Sequence, residues 1–250
     1  MKISVITACL NSDKTIDYCI KSVARQKKVD VEHIVVDGGS SDLTLQKVRQ
    51  SASVNIVIVE PNRGIYKALN RGLEVATGTF VFFLHSDDEL EGDFVLYSLS
   101  RAAGSRTNVI VGGGVRWDSN SLSSRRRYSR PDHFRKWMIF FGFQPPHTAT
   151  ITPMSIFRKL RGFNESYLSA GDFDFFVRAF CVLHVEFVAV DRVVTVMRRG
   201  GTSDQGWQSY WRTTSEVSRA LKESGFFANR VLLLFRLPVK WISRNISWFQ

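Results

Sequence analysis

Within the first hundred residues, four short apolar runs, KISVIT, EHIVVD, NIVIVE and TFVFFL, alternate with three segments of helical spacing. Runs rich in Val, Ile and Phe, with no regular polar face, suit strands that are covered on both sides. The segments between them, SDKTIDYCIKSVARQ, SDLTLQKVRQSA and GIYKALNRGLEVATG, carry apolar residues at helical intervals, and the first two open on Ser-Asp, residues favoured at helix starts. This alternation predicts an α/β fold with a mainly parallel central sheet and helices on both faces. In sheets of that kind ligands bind beyond the carboxyl ends of the strands.

Three of those strand ends are polar: TACLN after the first run, VDGGSSD after the second and HSDDE after the fourth. The last is the most demanding, because a buried strand runs directly into Asp87, Asp88 and Glu89. Adjacent carboxylates repel, and burial strengthens the repulsion. Either the acids form a solvated loop or a cation sits between them. Paired carboxylates at such a position can share Mg²⁺ or Mn²⁺ with the phosphates of a substrate, since hard cations take oxygen ligands. In VVDGGSSD the two glycines permit close backbone approach to a ligand. The pattern is neither GxGxxG nor a GxxxxGK[ST] phosphate loop, which argues against dinucleotide enzymes, ATPases and GTPases.

The chain has 250 residues, enough for one domain with a substantial core, and 34 Lys and Arg against 23 Asp and Glu give a formal charge of +11. Such a charge suits nucleic acid, an anionic membrane face or a polyphosphate substrate. No helix-turn-helix, RNP or zinc-finger pattern is present, so nucleic acid is not the expected partner. Cys9, Cys19 and Cys181 have no metal-binding spacing and predict free thiols in a reducing, cytoplasmic setting. The opening MKISVITACL reads as a buried strand rather than a signal peptide, and no run reaches the roughly 18 to 20 apolar residues of a membrane span.

Beyond residue 105 the pattern loosens. NVIVGGGV predicts a strand, SLSSRRRYSR a basic loop or edge hairpin, and RPDHFRKWMIFFGF a short amphipathic helix. Trp137, Phe140, Phe141 and Phe143 in the last segment could line an acceptor groove but are expected mainly in the core. DFDFFVRAFCVL has helix period, EFVAV and VVTVMRR predict two strands, and WQSYWRTTSEVSRALKESG predicts a final helix closed by Gly225. The tail after it, FFANRVLLLFRLPVKWISRNISWFQ, holds four cations and no anion among large apolar residues. Such a tail suits either the interface of an anionic leaflet or packing on the domain itself.

VVDGGSSD, EPNRGIYKALNRGLEVATG, FLHSDDEL, PPHTATI, GFNESYLSAGDFDFFVRA and RRGGTS follow one another in this order over residues 1 to about 205. Together they resemble the family 2 glycosyltransferases, and within them the small bacterial enzymes of O-antigen, colanic acid and related exopolysaccharide synthesis. The resemblance implies a glycosyltransferase A-type catalytic domain over 1–205. Residues 1–105 would bind the nucleotide sugar, 106–205 the acceptor, and 206–250 would form a helical, membrane-associating segment. It further implies an inverting hexosyltransferase that uses Mg²⁺ or Mn²⁺. The donor would be a nucleoside-diphosphate sugar, a UDP-sugar above all, and the acceptor a lipid-linked glycan at the inner face of the cytoplasmic membrane. A catalytically inactive sugar-nucleotide-binding protein and a basic nucleic-acid- or membrane-binding module are the competing readings.

By the same resemblance Thr7 and Ala8 lie along the nucleobase, Asn11 belongs to the donor site, Asp37 lies near base and ribose, and Arg63 and Asn70 line the donor pocket. Asp87 contacts the donor, Asp87 and Asp88 form the metal motif, and Arg198 or Arg199 neutralises diphosphate. Asp172 falls on the general base and His147 on the acceptor side. From the residues alone Asp172 also suits a helix N-cap, Asp174 a supporting role, and His85 and His133 surface or second-layer positions. Four positions depart from the family pattern: Gly38 replaces a second acid, His85 the first acid of DxDD, Gly171 the Glu before the base, and Gly200 a His.

Overall fold

The structure, a computed structural model, describes residues 1–61, 64–118, 127–129, 134–198, 206–228 and 233. The predicted strands of the first half form as β1 (Lys2–Cys9), β2 (Asp30–Asp37), β3 (Ile56–Val59) and β4 (Phe80–Phe83), all parallel in the order β3-β2-β1-β4. The period-2 alternation of strands sends Ile3 and Val5 of β1 to one face and Ile6 to the other. Helices α1 (Ile16–Ala24), α2 (Thr44–Gln50) and α4 (Val95–Ala103) pack on the first face, and α3 (Ile65–Val75) on the second. Both faces are therefore buried, as the continuous apolar runs required.

The second half departs from a purely parallel plan. β8 (Thr150–Pro153) lies antiparallel to β4, and β6 (Val109–Asp118) lies antiparallel to β8. The stretch read as two strands is one, β9 (Glu186–Arg198), parallel to β6, and the short β5 (Asp88–Leu90) closes the edge antiparallel to β9. The register between β6 and β9 shifts on either side of Gly114. Neighbouring Gly113 has no room for a side chain, because an added Cβ would lie 2.3 Å from Val194 and 2.8 Å from the Arg192 carbonyl oxygen. The expected hairpin is present in part, with β7 (Arg127–Ser129) paired to β6.

Helices α5 (Met154–Leu160), α6 (Gly171–Val177) and α7 (Gly206–Glu223) join α3 on the second face, where Phe157, Phe163, Phe175, Phe176 and Phe180 form an aromatic core. α7 ends as predicted: Gly225 adopts φ +83°, and the N–H groups of Gly225 and Phe226 reach back to Lys222 and Leu221. The expected helix around Trp137 is a tight 3₁₀ segment, Lys136–Phe141, stopped by Gly142 in the left-handed conformation. No helix among the described residues is long and apolar enough to cross a membrane. The basic tail, apart from its first residues and Leu233, lies outside the described residues, as do His133 and Gly200.

Candidate active site

Loops at the carboxyl ends of β1, β2 and β4 are bonded to one another. Asn11 takes a positive φ of 50°, its N–H donates to the Ser40 hydroxyl at 2.9 Å, and its Oδ1 accepts the Ser41 N–H at 2.9 Å. The Ser12 and Ser86 hydroxyls meet at 2.8 Å and tie the β1 loop to the one after β4. These bonds hold Asn11, which is exposed, and Asp87, which is half-buried, along one rim of the sheet.

Several residues expected at the donor have other tasks. The Thr7 side chain is fully buried, with its hydroxyl 3.1 Å from His33 Nε2 and in contact with the Cys19 sulfur. Asp37 is also fully buried: Oδ1 accepts the N–H groups of Gly39 and Ser40, and Oδ2 accepts the Ser40 hydroxyl at 2.6 Å. That carboxylate folds the GGSS turn and presents no free edge to a base. Asn70 clamps a loop instead of lining a pocket, donating to the Phe163 carbonyl and Glu165 while accepting the Phe163 N–H. Ala8 remains half-exposed at the end of β1. Arg63 and Arg199 lie outside the described residues, and Arg198 is the last residue of β9.

The two acids of the metal motif differ in setting. Asp88 is 1% exposed, within β5. Asp87 is the accessible one, and burial pushes its carboxyl above the ordinary range. Its carboxylate oxygens, with Asp88 next in the chain, are ligands of the type a hard divalent ion takes. Among the described residues no three His, Cys, Asp or Glu side chains cluster as a complete metal cage. An ion here would therefore take its remaining oxygens from substrate phosphate and water.

Asp172 is the most closely surrounded carboxylate of the site. Its Oδ1 accepts the Tyr66 hydroxyl at 3.2 Å, and its Oδ2 accepts the Gln144 amide and lies 3.1 Å from His147 Nδ1. Burial opposes ionisation, but the bonds from His147 and Gln144 outweigh it and hold the carboxyl below the ordinary range. Tyr66 is pushed well upward by burial and by Asp172, so it stays a phenol donor. His147 Nε2 lies 2.9 Å from His85 Nε2, the rings meeting edge to face. Burial, helped by His147, pushes His85 down to about 3. His85 is thus neutral. With Nδ1 of His147 donating to Asp172, its Nε2 accepts from His85. Both nitrogens of His147 are thus engaged.

The position of Asp172 also corrects the N-cap reading. Ala170 occupies the cap of α6, and Asp172 sits within the first turn, bonded across to α3 and to the segment before β8. Glu216 of α7 organises the approach to that turn, accepting the N–H groups of Leu168, Ser169 and Ala170 at 3.0, 2.8 and 2.9 Å. Asp174 pairs with Arg178 one turn on, as its supporting role required. Tyr66, Gln144 and Glu216 were not singled out from the sequence, and His85 reads there only as a departure from the acidic motif and a surface or second-layer residue. Only Gln144, directly before the rigid Pro145-Pro146 that leads to His147, carried a local signal.

The chain matches Glycosyl transferase family 2 over residues 4–170. A PGL/p-HBAD biosynthesis glycosyltransferase of Mycobacterium bovis is 28% identical over 184 residues, covering 71% of this chain and 69% of that protein. Staphylococcus aureus TarS, in its crystal structure with UDP-GlcNAc, superposes with a TM-score of 0.72 at 20% identity, covering 99% of this chain and 77% of that one. The mannosyltransferase PcManGT of Pyrobaculum calidifontis, in complex with GDP-Man and Mn²⁺, gives a TM-score of 0.65 at 17% identity, covering 98% and 70%.

Proposed function

The chain belongs to glycosyl transferase family 2 and is a glycosyltransferase, and from that premise we propose that it moves a sugar from a nucleoside-diphosphate sugar to a lipid-linked glycan with inversion at the anomeric carbon. The observation that carries this reading is the carboxylate of Asp172, held by Tyr66, Gln144 and His147. In the transfer, the acceptor oxygen forms the new bond to the anomeric carbon while the bond from that carbon to the diphosphate oxygen breaks on the opposite side. The hydroxyl proton passes to Asp172, and the electron pair leaves with the nucleoside diphosphate. Tyr66 and Gln144 fix the direction of the carboxylate, so that little reorientation is needed when the proton arrives. Asp87 would hold a Mg²⁺ or Mn²⁺ ion, and Asn11 and Ala8 would contact the donor. When bound, the ion supplies positive charge to the diphosphate. A UDP-sugar is the favoured donor, in line with the UDP-GlcNAc complex of TarS, and the GDP-Man complex of PcManGT makes GDP-sugars the next to try. The acceptor would be met at the inner face of the cytoplasmic membrane.

The test combines binding and turnover. A panel of UDP-, GDP- and dTDP-sugars, with and without Mn²⁺, is screened by thermal shift, and release of nucleoside diphosphate is then followed for the binder. Asp172→Asn is expected to lower turnover by about 10²- to 10⁴-fold with the donor shift preserved. Undiminished turnover in that variant would remove Asp172 from the mechanism. A donor shift that ignores both Mn²⁺ and Asp87→Asn would remove the metal.

A further inference from the structure

The 3₁₀ segment that leads to Gln144 does not bury its aromatic rings as a core element would. Trp137 is 60% exposed, and Phe140 and Phe141 stand 39% exposed beside it. Phe140 meets Phe226 at 5.3 Å, which joins this segment to the end of α7, where Phe227 is 83% exposed. Trp137, Phe140 and Phe141, with Phe226 against them and Phe227 next in the chain, thus mark one apolar surface formed by two segments. Isolated exposed apolar side chains need no explanation, but a contiguous group of this kind marks a contact surface.

The charge around it selects the partner. Residues 134–144 and 224–228 contain no acid, whereas Arg135 and Lys136 are exposed at the rim. Aromatic side chains flanked by cations are the composition of a surface that rests in a lipid headgroup layer. A second copy would bring the same cations face to face. We propose that this surface, centred on Trp137, Phe140 and Phe227, seats the enzyme on an anionic phospholipid membrane.

The placement has a consequence for the site. Gln144, three residues beyond the end of the 3₁₀ segment, is bonded to Asp172. A surface resting at the headgroups therefore holds the base close to the layer in which the diphosphate of a lipid-linked acceptor lies. The inference rests on the lipid-linked acceptor proposed above, and vesicle binding can succeed or fail independently of nucleotide-sugar binding and turnover.

The test uses the whole chain and extruded vesicles of phosphatidylglycerol with phosphatidylethanolamine, against vesicles of phosphatidylcholine. Co-sedimentation is expected to show binding to the anionic vesicles that weakens with salt. The double substitution Trp137→Ser, Phe227→Ser and the single Lys136→Glu should each lower it by about tenfold. Unchanged thermal unfolding and an unchanged donor shift would show that these variants remain folded. Parent-like vesicle binding by both variants would overturn the proposal and assign the contact to another part of the chain. Equal binding to phosphatidylcholine would overturn its anionic character. A parent dimer that the double substitution converts to monomer, seen by light scattering, would make the surface a self-association face instead.

Discussion

Gly171 stands directly before the proposed base, and an added Cβ there would lie 2.8 Å from three ring atoms of Tyr66. The ring is buried in the aromatic core and its hydroxyl bonds Asp172, so it has little freedom to withdraw. Gly171→Ala should gain roughly 1 kcal/mol of helix propensity yet lose more through overpacking, which costs about 1–3 kcal/mol. The expected result is a lower urea midpoint together with slower transfer, and Tyr66→Phe should slow transfer without the packing loss. Full activity in Gly171→Ala would show that Tyr66 has no part in holding the base. The family's usual Glu before the base thus has no room here. The Gly171 departure is visible in the sequence, but its cause lies in Tyr66, more than a hundred residues away. The same limit applied to His85, whose meaning depends on meeting His147 across 62 positions. It applied to Asp37 as well: motif position suggested a ligand contact, while its own turn consumes its hydrogen-bonding capacity.

At the scale of elements, α6 is held by α7 as much as by its own sequence. Three N–H groups leading into α6 converge on the Glu216 carboxylate, and charge-assisted bonds of this type are the stronger class. Glu216→Ala should reduce stability by about 2 kcal/mol. It should also reduce turnover, since residues 168–170 set the direction of Asp172, while donor affinity stays near the parent value. Chemical denaturation and donor titration on one preparation separate the two effects. An unchanged transfer rate would mean that Tyr66, Gln144 and His147 position the base without help from α7. Elements with an uninterrupted period, β1 to β4 and α7 with its glycine stop, were legible because their signals are local. β9 was not, because Asp191-Arg192 breaks the apolar pattern although Arg192 bonds Ser98 of α4 and the strand continues through it. Nor did local pattern reveal that β8 turns antiparallel beside β4, the pairing that brings His147 to His85.

For the whole molecule, two ionisable groups on β2 make acid stability a test of the folded core. His33 is 1% exposed, and burial pushes its imidazole down to about 4. An unfolded chain takes up that proton near 6.5, so between pH 6.5 and 4 the unfolded state binds a proton that the folded state refuses. Stability therefore falls with pH across this window, by on the order of 3 kcal/mol in all. Glu32 acts lower on the scale. Burial opposes its ionisation, but bonds from Lys2, Ser4 and Thr77 prevail and push it down from 4.5 to about 2. Its contribution is complete above pH 4.5 and is lost as pH falls to 2. The molecule should accordingly lose stability in two successive stages on acidification. Urea midpoints measured from pH 7.5 to 3 are expected to decline first through the His33 window, and His33→Gln should flatten that part while leaving the decline below pH 4.5. A parent slope that persists unchanged between pH 6.5 and 4.5 in His33→Gln would mean that this imidazole is not held neutral, and that Thr7 and the core around it are more open to water than their burial indicates.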